Sequence, residues 1–206
     1  QFYSGLTTVN DGALNLSFGT NTLFPNQQLT INNGATVNLN NNVQYTERLA
    51  GGTLPGTGGT INLGTGLLVV NEGGSTTFAG SIKGSGSFAR LGGNTLTLES
   101  ASNYSGKTIL MGGVTTLRDS ATLLNTSSID INYGTLTIDN NANLQTDLAD
   151  RINDAAPITL RGGTINFTGR SSSFSSEVLG NVTSSQGANT FTVNANGNAT
   201  GSYASG

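Results

Sequence analysis

The chain of 206 residues has only 9% charged residues, a net charge of −3, and neither cysteine nor histidine. Disulfide frameworks, thiolate or imidazole metal sites and any hydrolytic triad built on a histidine base are therefore excluded. Eight Lys+Arg spread through an acidic chain leave no electrostatic footprint for nucleic acid, and no apolar run approaches the ~20 residues of a membrane-spanning helix.

With 34% hydrophobic residues and 30 glycines the chain reads as folded, its charge replaced by Asn, Thr, Ser and Gly. One unit recurs along it: one or two Gly, a small polar residue, then aliphatic–polar–aliphatic. In chain order it appears at Gly12-Ala13-Leu14-Asn15-Leu16, Gly34-Ala35-Thr36-Val37-Asn38-Leu39 and Gly59-Thr60-Ile61-Asn62-Leu63. It continues at Gly93-Asn94-Thr95-Leu96-Thr97-Leu98, Gly134-Thr135-Leu136-Thr137-Ile138, Gly163-Thr164-Ile165-Asn166-Phe167 and Ala188-Asn189-Thr190-Phe191-Thr192-Val193. The period of 2 puts the apolar residues of each copy on one face of a strand, and Gly and Asn before it supply tight corners. Weaker strands are expected between the copies, at 67–70, 75–78, 87–90, 108–111 and 128–131.

The first aliphatic residues of successive copies lie 23, 24, 35, 40, 29 and 26 apart. The 40 divides into two through Val114-Thr115-Thr116-Leu117, which leaves a drifting period in the low twenties, the length of a solenoid coil. Such a coil cannot bury its apolar face alone; neighbouring coils must cover it. In-register stacking also explains the low charge. Like charges in a column repel, whereas Asn, Thr and Ser can hydrogen-bond along it.

Residues 141–154 interrupt the pattern. Leu144, Leu148 and Ile152 fall at i, i+4 and i+8, Asn140 or Asn141 can cap, and Pro157 bars continuation, so the spacing predicts a short helical excursion. Asp139, Asn141, Asn143, Asp147 and Asp150 also have the spacing of a calcium loop. However, Leu144 stands where Gly is required and Asp150 replaces Glu, so a capped helix start is the better reading. A Ser-Lys catalytic pair would need Lys83 or Lys107 desolvated, and both lie in Gly/Ser-rich corners that read as exposed. Lys83-Gly84-Ser85-Gly86-Ser87 lacks the ending of a phosphate loop. The acids are scattered except for Asp147, Asp150 and Asp154, where Asp150 and Arg151 read as a solvated face; with no Trp, a sugar-stacking platform is poorly supplied. No catalytic, cofactor-binding or metal residue is assigned.

The stretch 80–117 resembles the autotransporter-associated β-strand repeat. The residues that carry the likeness are Gly84 to Ser87, Phe88, Arg90, the corner Gly92-Gly93-Asn94, Leu96-Thr97-Leu98, then Asn103-Tyr104-Ser105-Gly106-Lys107-Thr108 and the closing Gly113 to Leu117. It departs at Arg90-Leu91-Gly92, where Thr-Gly is usual, and at Val114-Thr115-Thr116-Leu117, one residue longer than usual. Asp150 through Pro157 to Thr164, and 51–63, resemble the flanks of such repeats.

The resemblance implies an all-β, right-handed parallel β-helix, with residues 1–206 a single segment of a longer passenger whose repeat core is about 80–117. It also implies export through the passenger's own C-terminal translocator barrel and display at the bacterial cell surface, with no nucleic acid partner and no membrane insertion of this segment. A chain without cysteine suits passage through a narrow pore. The expected role is a non-catalytic structural module, a rigid stalk that aids export and extracellular folding, with no cofactor. The alternatives are an adhesin or self-association surface built on Asn/Thr ladders, possible ligands being a host surface or neighbouring cells, and, third, a polysaccharide-degrading β-helix enzyme. The expected core is Leu96, Leu98, Ile109, Leu117, Leu136, Ile138, Ile165, Phe167, Phe191 and Val193.

Overall fold

Each short strand forms where aliphatic residues alternate with Thr, Ser or Asn, and it stops where the backbone must turn a corner. At Gly92 and Gly162 that turn requires φ of 91° and 67°, values that side-chain-bearing residues rarely adopt. The computed structural model describes residues 5–196. Among them are 21 strands and no helix. The N-terminal strands are β1 (Thr7–Val9), β2 (Gly12–Asn15), β3 (Gln28–Ile31), β4 (Ala35–Asn38), β5 (Val43–Thr46), β6 (Arg48–Ala50) and β7 (Thr60–Asn62). The central ones are β8 (Leu67–Asn71), β9 (Thr76–Phe78), β10 (Ser81–Gly84), β11 (Ser87–Leu91), β12 (Thr95–Leu98), β13 (Asn103–Tyr104), β14 (Thr108–Met111) and β15 (Val114–Arg118). The C-terminal ones are β16 (Ile129–Asn132), β17 (Thr135–Asp139), β18 (Ile158–Arg161), β19 (Thr164–Thr168), β20 (Val182–Gln186) and β21 (Thr190–Asn194).

These strands pair in parallel with the equivalent strand of the next coil, giving a β-solenoid of about 8 turns. The first face runs β2-β4-β7-β10-β13, the second β5-β8-β11-β14-β16-β18-β20. The third begins with β1-β3-β6 and continues as β9-β12-β15-β17-β19-β21. A parallel bridge between Gly51 and Phe78 joins its two parts. After β13 the first face has no further strand. Its place is taken by irregular legs that still touch coil to coil, as where Leu123 bridges Ile152. All five weaker strands expected between the repeat copies are present, as β8, β9, β11, β14 and β16.

The strongest repeat copies do not all lie on one face. Leu14, Val37 and Ile61 stack on the first face, whereas Leu96, Leu136, Ile165 and Phe191 stack on the third. The spacing of 35 from Ile61 to Leu96 thus crosses from one face to another. Within the third face, Thr76, Leu96, Thr115 and Leu136 follow one another at 20, 19 and 21 residues, and Ile165 and Phe191 then follow at 29 and 26. The longer intervals contain the irregular legs.

The core is one column of apolar side chains. Leu96, Leu98, Leu117, Leu136, Ile138 and Ile165 are buried as expected. Ile109 is not: in β14, Thr108 and Leu110 point inward and Ile109 outward. The inward Thr108 is accommodated because its hydroxyl bonds Tyr104 (2.6 Å) and Thr126 (2.8 Å), both buried. Phe167 is half-buried against the core, and Phe191 and Val193, on the last described coil, are 40% and 46% exposed.

The helix expected at 141–154 does not form. Gln145 has φ 49°, Leu144 is 51% exposed and only Ile152 reaches the core. Polar side chains capture the backbone first: Asp139 accepts from Asn141 N (2.8 Å), and Asn140 and Arg151 donate to the carbonyls of Leu148 and Thr146 (both 2.9 Å). Such local bonds compete with helical ones.

Two substitutions test this packing. Leu136→Ala is expected to cost about 2–5 kcal/mol, whereas Thr137→Ala beside it, pointing outward, should cost under about 1 kcal/mol by chemical denaturation. Gly86→Ala should destabilise strongly, because a Cβ there overlaps the carbonyl oxygen of Gly66 in the coil below, a contact that backbone cannot relieve; its melting temperature is the measure.

Candidate functional site

The chemistry-bearing side chains gather at two buried polar centres. The larger lies where irregular legs replace the first face. Arg151, fully buried, donates from Nε to Asn140 Oδ1 (2.7 Å), from Nη1 to Ala121 O (2.8 Å) and from Nη2 to Thr146 O (2.9 Å). Asp147 accepts from Asn140 (2.9 Å), Ser175 (2.8 Å) and Ser173 (3.0 Å), tying leg 140–152 to leg 169–181. Asp119, buried beside Arg118, accepts from Leu144 N (2.9 Å). Glu177 accepts from the backbone N–H groups of Arg151 and Ile152 (3.0 and 2.9 Å).

Burial lowers the pKa of Arg151, against the pull of Glu177, Asp119, Asp139 and Asp147. It raises that of Glu177 to about 7; Asp150 reinforces the rise, while the two N–H donors and Arg151 oppose it. The expectation that Arg151 lies on a solvated face is therefore corrected. The short polar residues of three coils enclose it, and nothing in its local spacing distinguishes it from a surface arginine.

The second centre sits at a corner between the second and third faces. Glu72, 1% exposed, accepts from Leu49 N (3.3 Å) and Thr76 Oγ1 (3.0 Å). Burial raises its pKa to about 7 although Arg90 and Arg48 lower it. Arg90, fully buried, donates from Nη1 to the carbonyls of Gly92 (2.9 Å) and Gly112, and its guanidinium lies against Gly113, where a Cβ would strike it. The basic position of the resembling repeat is thus an internal strut between two successive coils. In the next coil Glu99 is buried and held by Arg118.

Lys83 and Lys107 are exposed, as their corners predicted. The residues with calcium-loop spacing do not converge: Asp139 bonds Asn141 N, Asn141 accepts from Ser171 N (3.0 Å), and Asp147 holds two serines. Among the described residues no group of three or more His, Cys, Asp or Glu could hold a metal ion, and no helix is long and apolar enough to cross a membrane. A cleft of about 250 Å³ between the 51–58 loop and the first face is lined by Gly56, Gly59, Gly80, Thr36, Thr60 and Ser81, with no charged group among its walls.

Outside, the first face carries Asn15, Asn38, Asn62, Lys83 and Asn103 in one register column. Asn38 donates to Asn15 (2.8 Å), and in a neighbouring column Asn32 donates to Asn10 (2.7 Å). The asparagine ladders expected from stacking are therefore real. This geometry defines a parallel β-solenoid with polar struts at its corners. Neither a protein-family model nor a curated protein nor a solved structure matches the chain.

Both raised carboxyls hold a proton more tightly when folded, at about 7, than at their ordinary 4.5. Their contribution to stability is full below about pH 4.5 and is lost as pH rises through about 7. The melting temperature should thus be higher at about pH 5 than at about pH 8, with the difference reduced in Glu72→Gln and Glu177→Gln. Arg151→Ala, which leaves Asn140 and several carbonyls unpaired, should cost about 3–5 kcal/mol and speed hydrogen exchange across 139–177.

Proposed function

We propose that this chain is a non-catalytic segment of a bacterial autotransporter-type passenger: a rigid stalk displayed outside the cell, whose coil-by-coil folding aids export. The observation that carries the reading is the repeat at 80–117, in which Tyr104, Gly106 and Arg90 each take part in stacking. Tyr104 fills the core against Phe88, with ring centroids 6.1 Å apart and planes tilted by 53°, and bonds Thr108. Gly106 passes close above the Gly86 carbonyl at a corner. Arg90 joins carbonyls of successive coils. The winding is right-handed in this reading, as parallel crossovers nearly always are.

A second reading, adhesion or self-association, draws on the Asn column of the first face, in which Asn38 donates to Asn15 and Asn62 follows in register.

The export reading makes a direct prediction. In cells expressing the full-length gene, an antibody to this segment should label intact cells, and extracellular protease should release it. Leu136→Asp, which destroys a core position, should trap the passenger before the surface. A segment found only in the cytosol overturns the proposal. Cell clumping that is lost in Asn38→Asp with display unchanged would establish the second reading.

A further inference from the structure

The three outer faces obey the same stacking rule but differ in chemistry. On the second face, the column through Tyr45, Val69, Ala89, Ile109, Asp130, Thr159 and Thr183 mixes aromatic, aliphatic, acidic and hydroxyl groups, with Val69 and Ala89 covered. The first face sets a column of asparagines interrupted by Lys83 beside one of Ala13, Thr36, Thr60 and Ser81. The third face is nearly uniform. Its outward columns read Thr95, Val114, Thr135, Thr164, Thr190 and, two residues along each strand, Thr77, Thr97, Thr116, Thr137, Asn166, Thr192. Nine of these eleven positions are threonine and none is charged. If strand propensity alone selected the outward residues, the second face would show the same bias; it does not.

Eight of the nine threonines are at least partly exposed, each a donor and acceptor beside a methyl group, and Thr97 is buried at 9% exposure. The β-branched side chains are stiff at χ1, and the sheet beneath them is hydrogen-bonded from β9 to β21. The result is a rigid grid of hydroxyl–methyl pairs repeating at about 4.8 Å between coils and about 6.7 Å along each strand. A third outward column, Arg118, Asp139, Thr168 and Asn194, borders the grid; there Arg118 is held by Glu99 and Asp119, and Asp139 accepts from Asn141 N.

The two threonine columns, without charge or aromatic rings, are poorly suited to ions, phosphates or stacked sugars. They suit a ligand that is itself a lattice of hydroxyl-sized donors and acceptors at matching spacing. The oxygen lattice on the prism faces of hexagonal ice is such a grid. Water bound by the hydroxyls and caged around the methyls stands close to lattice positions before freezing, and water-mediated bonds are nearly as favourable as direct ones. A pre-ordered face adds little ordering cost on contact. We propose that the third face of this solenoid binds ice, through the Thr-x-Thr rungs of β17 and β21 and the partial rungs of β12, β15 and β19.

The test uses the whole chain. Thermal hysteresis and inhibition of ice recrystallisation are measured in dilute solution, and protein labelled at Lys83 and Lys107, off this face, is followed onto a single ice crystal. The native chain should shape ice and be taken up by it. Thr116→Arg and Thr137→Arg should lose most of that activity while keeping the native circular dichroism spectrum, and Thr159→Arg on the second face should lose none. Val114→Thr and Asn166→Thr, which complete the grid, should gain activity and so test the proposal even if an arginine variant misfolds. A native chain that neither shapes nor enters ice, or equal losses from arginine on either face, overturns the proposal. So does retention of the threonine-face effect only as glycan binding or self-association. None of these outcomes bears on whether the segment is an exported passenger.

Discussion

The structure depends on one constraint: strands pair in parallel with the strand one coil away, about 4.8 Å above, in register except for a bulge where β18 meets β20. A residue's most important neighbours are therefore its own column mates. The constraint makes the core a set of aliphatic columns, brings Gly86 and Gly66 into a contact that leaves no room for a Cβ, and turns Asn15 and Asn38 into a bonded pair. It also disfavours columns of like charge, which accounts for a chain with so few charged residues.

The same constraint fails where a coil carries extra residues. The coils from Leu136 to Ile165 and from Ile165 to Phe191 are too long for a third short strand, and their backbone carbonyls need other donors. Arg151 supplies several from one buried side chain, neutralised by surrounding carboxylates, and Arg90 does similar work at the opposite corner. These arginines act as stitching between coils. Because their carboxylate neighbours Glu72 and Glu177 are desolvated, the stitching couples the solenoid to protons around neutral pH.

With the interior devoted to stacking, the protein's distinct chemistry is on its outside, and three flat faces give three surfaces that can vary independently. A stalk needs only the interior, so the composition of the outer columns is free to serve binding. Asparagine pairing on one face and the threonine columns on another are two different outer chemistries on the same scaffold.

Composition and the Gly-punctuated alternation were enough to establish an all-β stacked solenoid, the positions of the weaker strands and six of the ten proposed core residues, because period 2 and corner glycines are local properties of the chain. Three other features were settled only by tertiary structure. Which face each repeat copy occupies depends on loop lengths elsewhere, so Ile61 and Leu96 look equivalent in sequence and are not in space. The inward turn of Thr108 over Ile109 depends on Tyr104 and Thr126, which lie in other legs. The burial of Arg151 and the loss of the helix at 141–154 depend on acceptors from 121, 140 and 177. A local pattern reports local backbone preference; the pairing of side chains across coils, which decided these three cases, is a property of the assembled column alone.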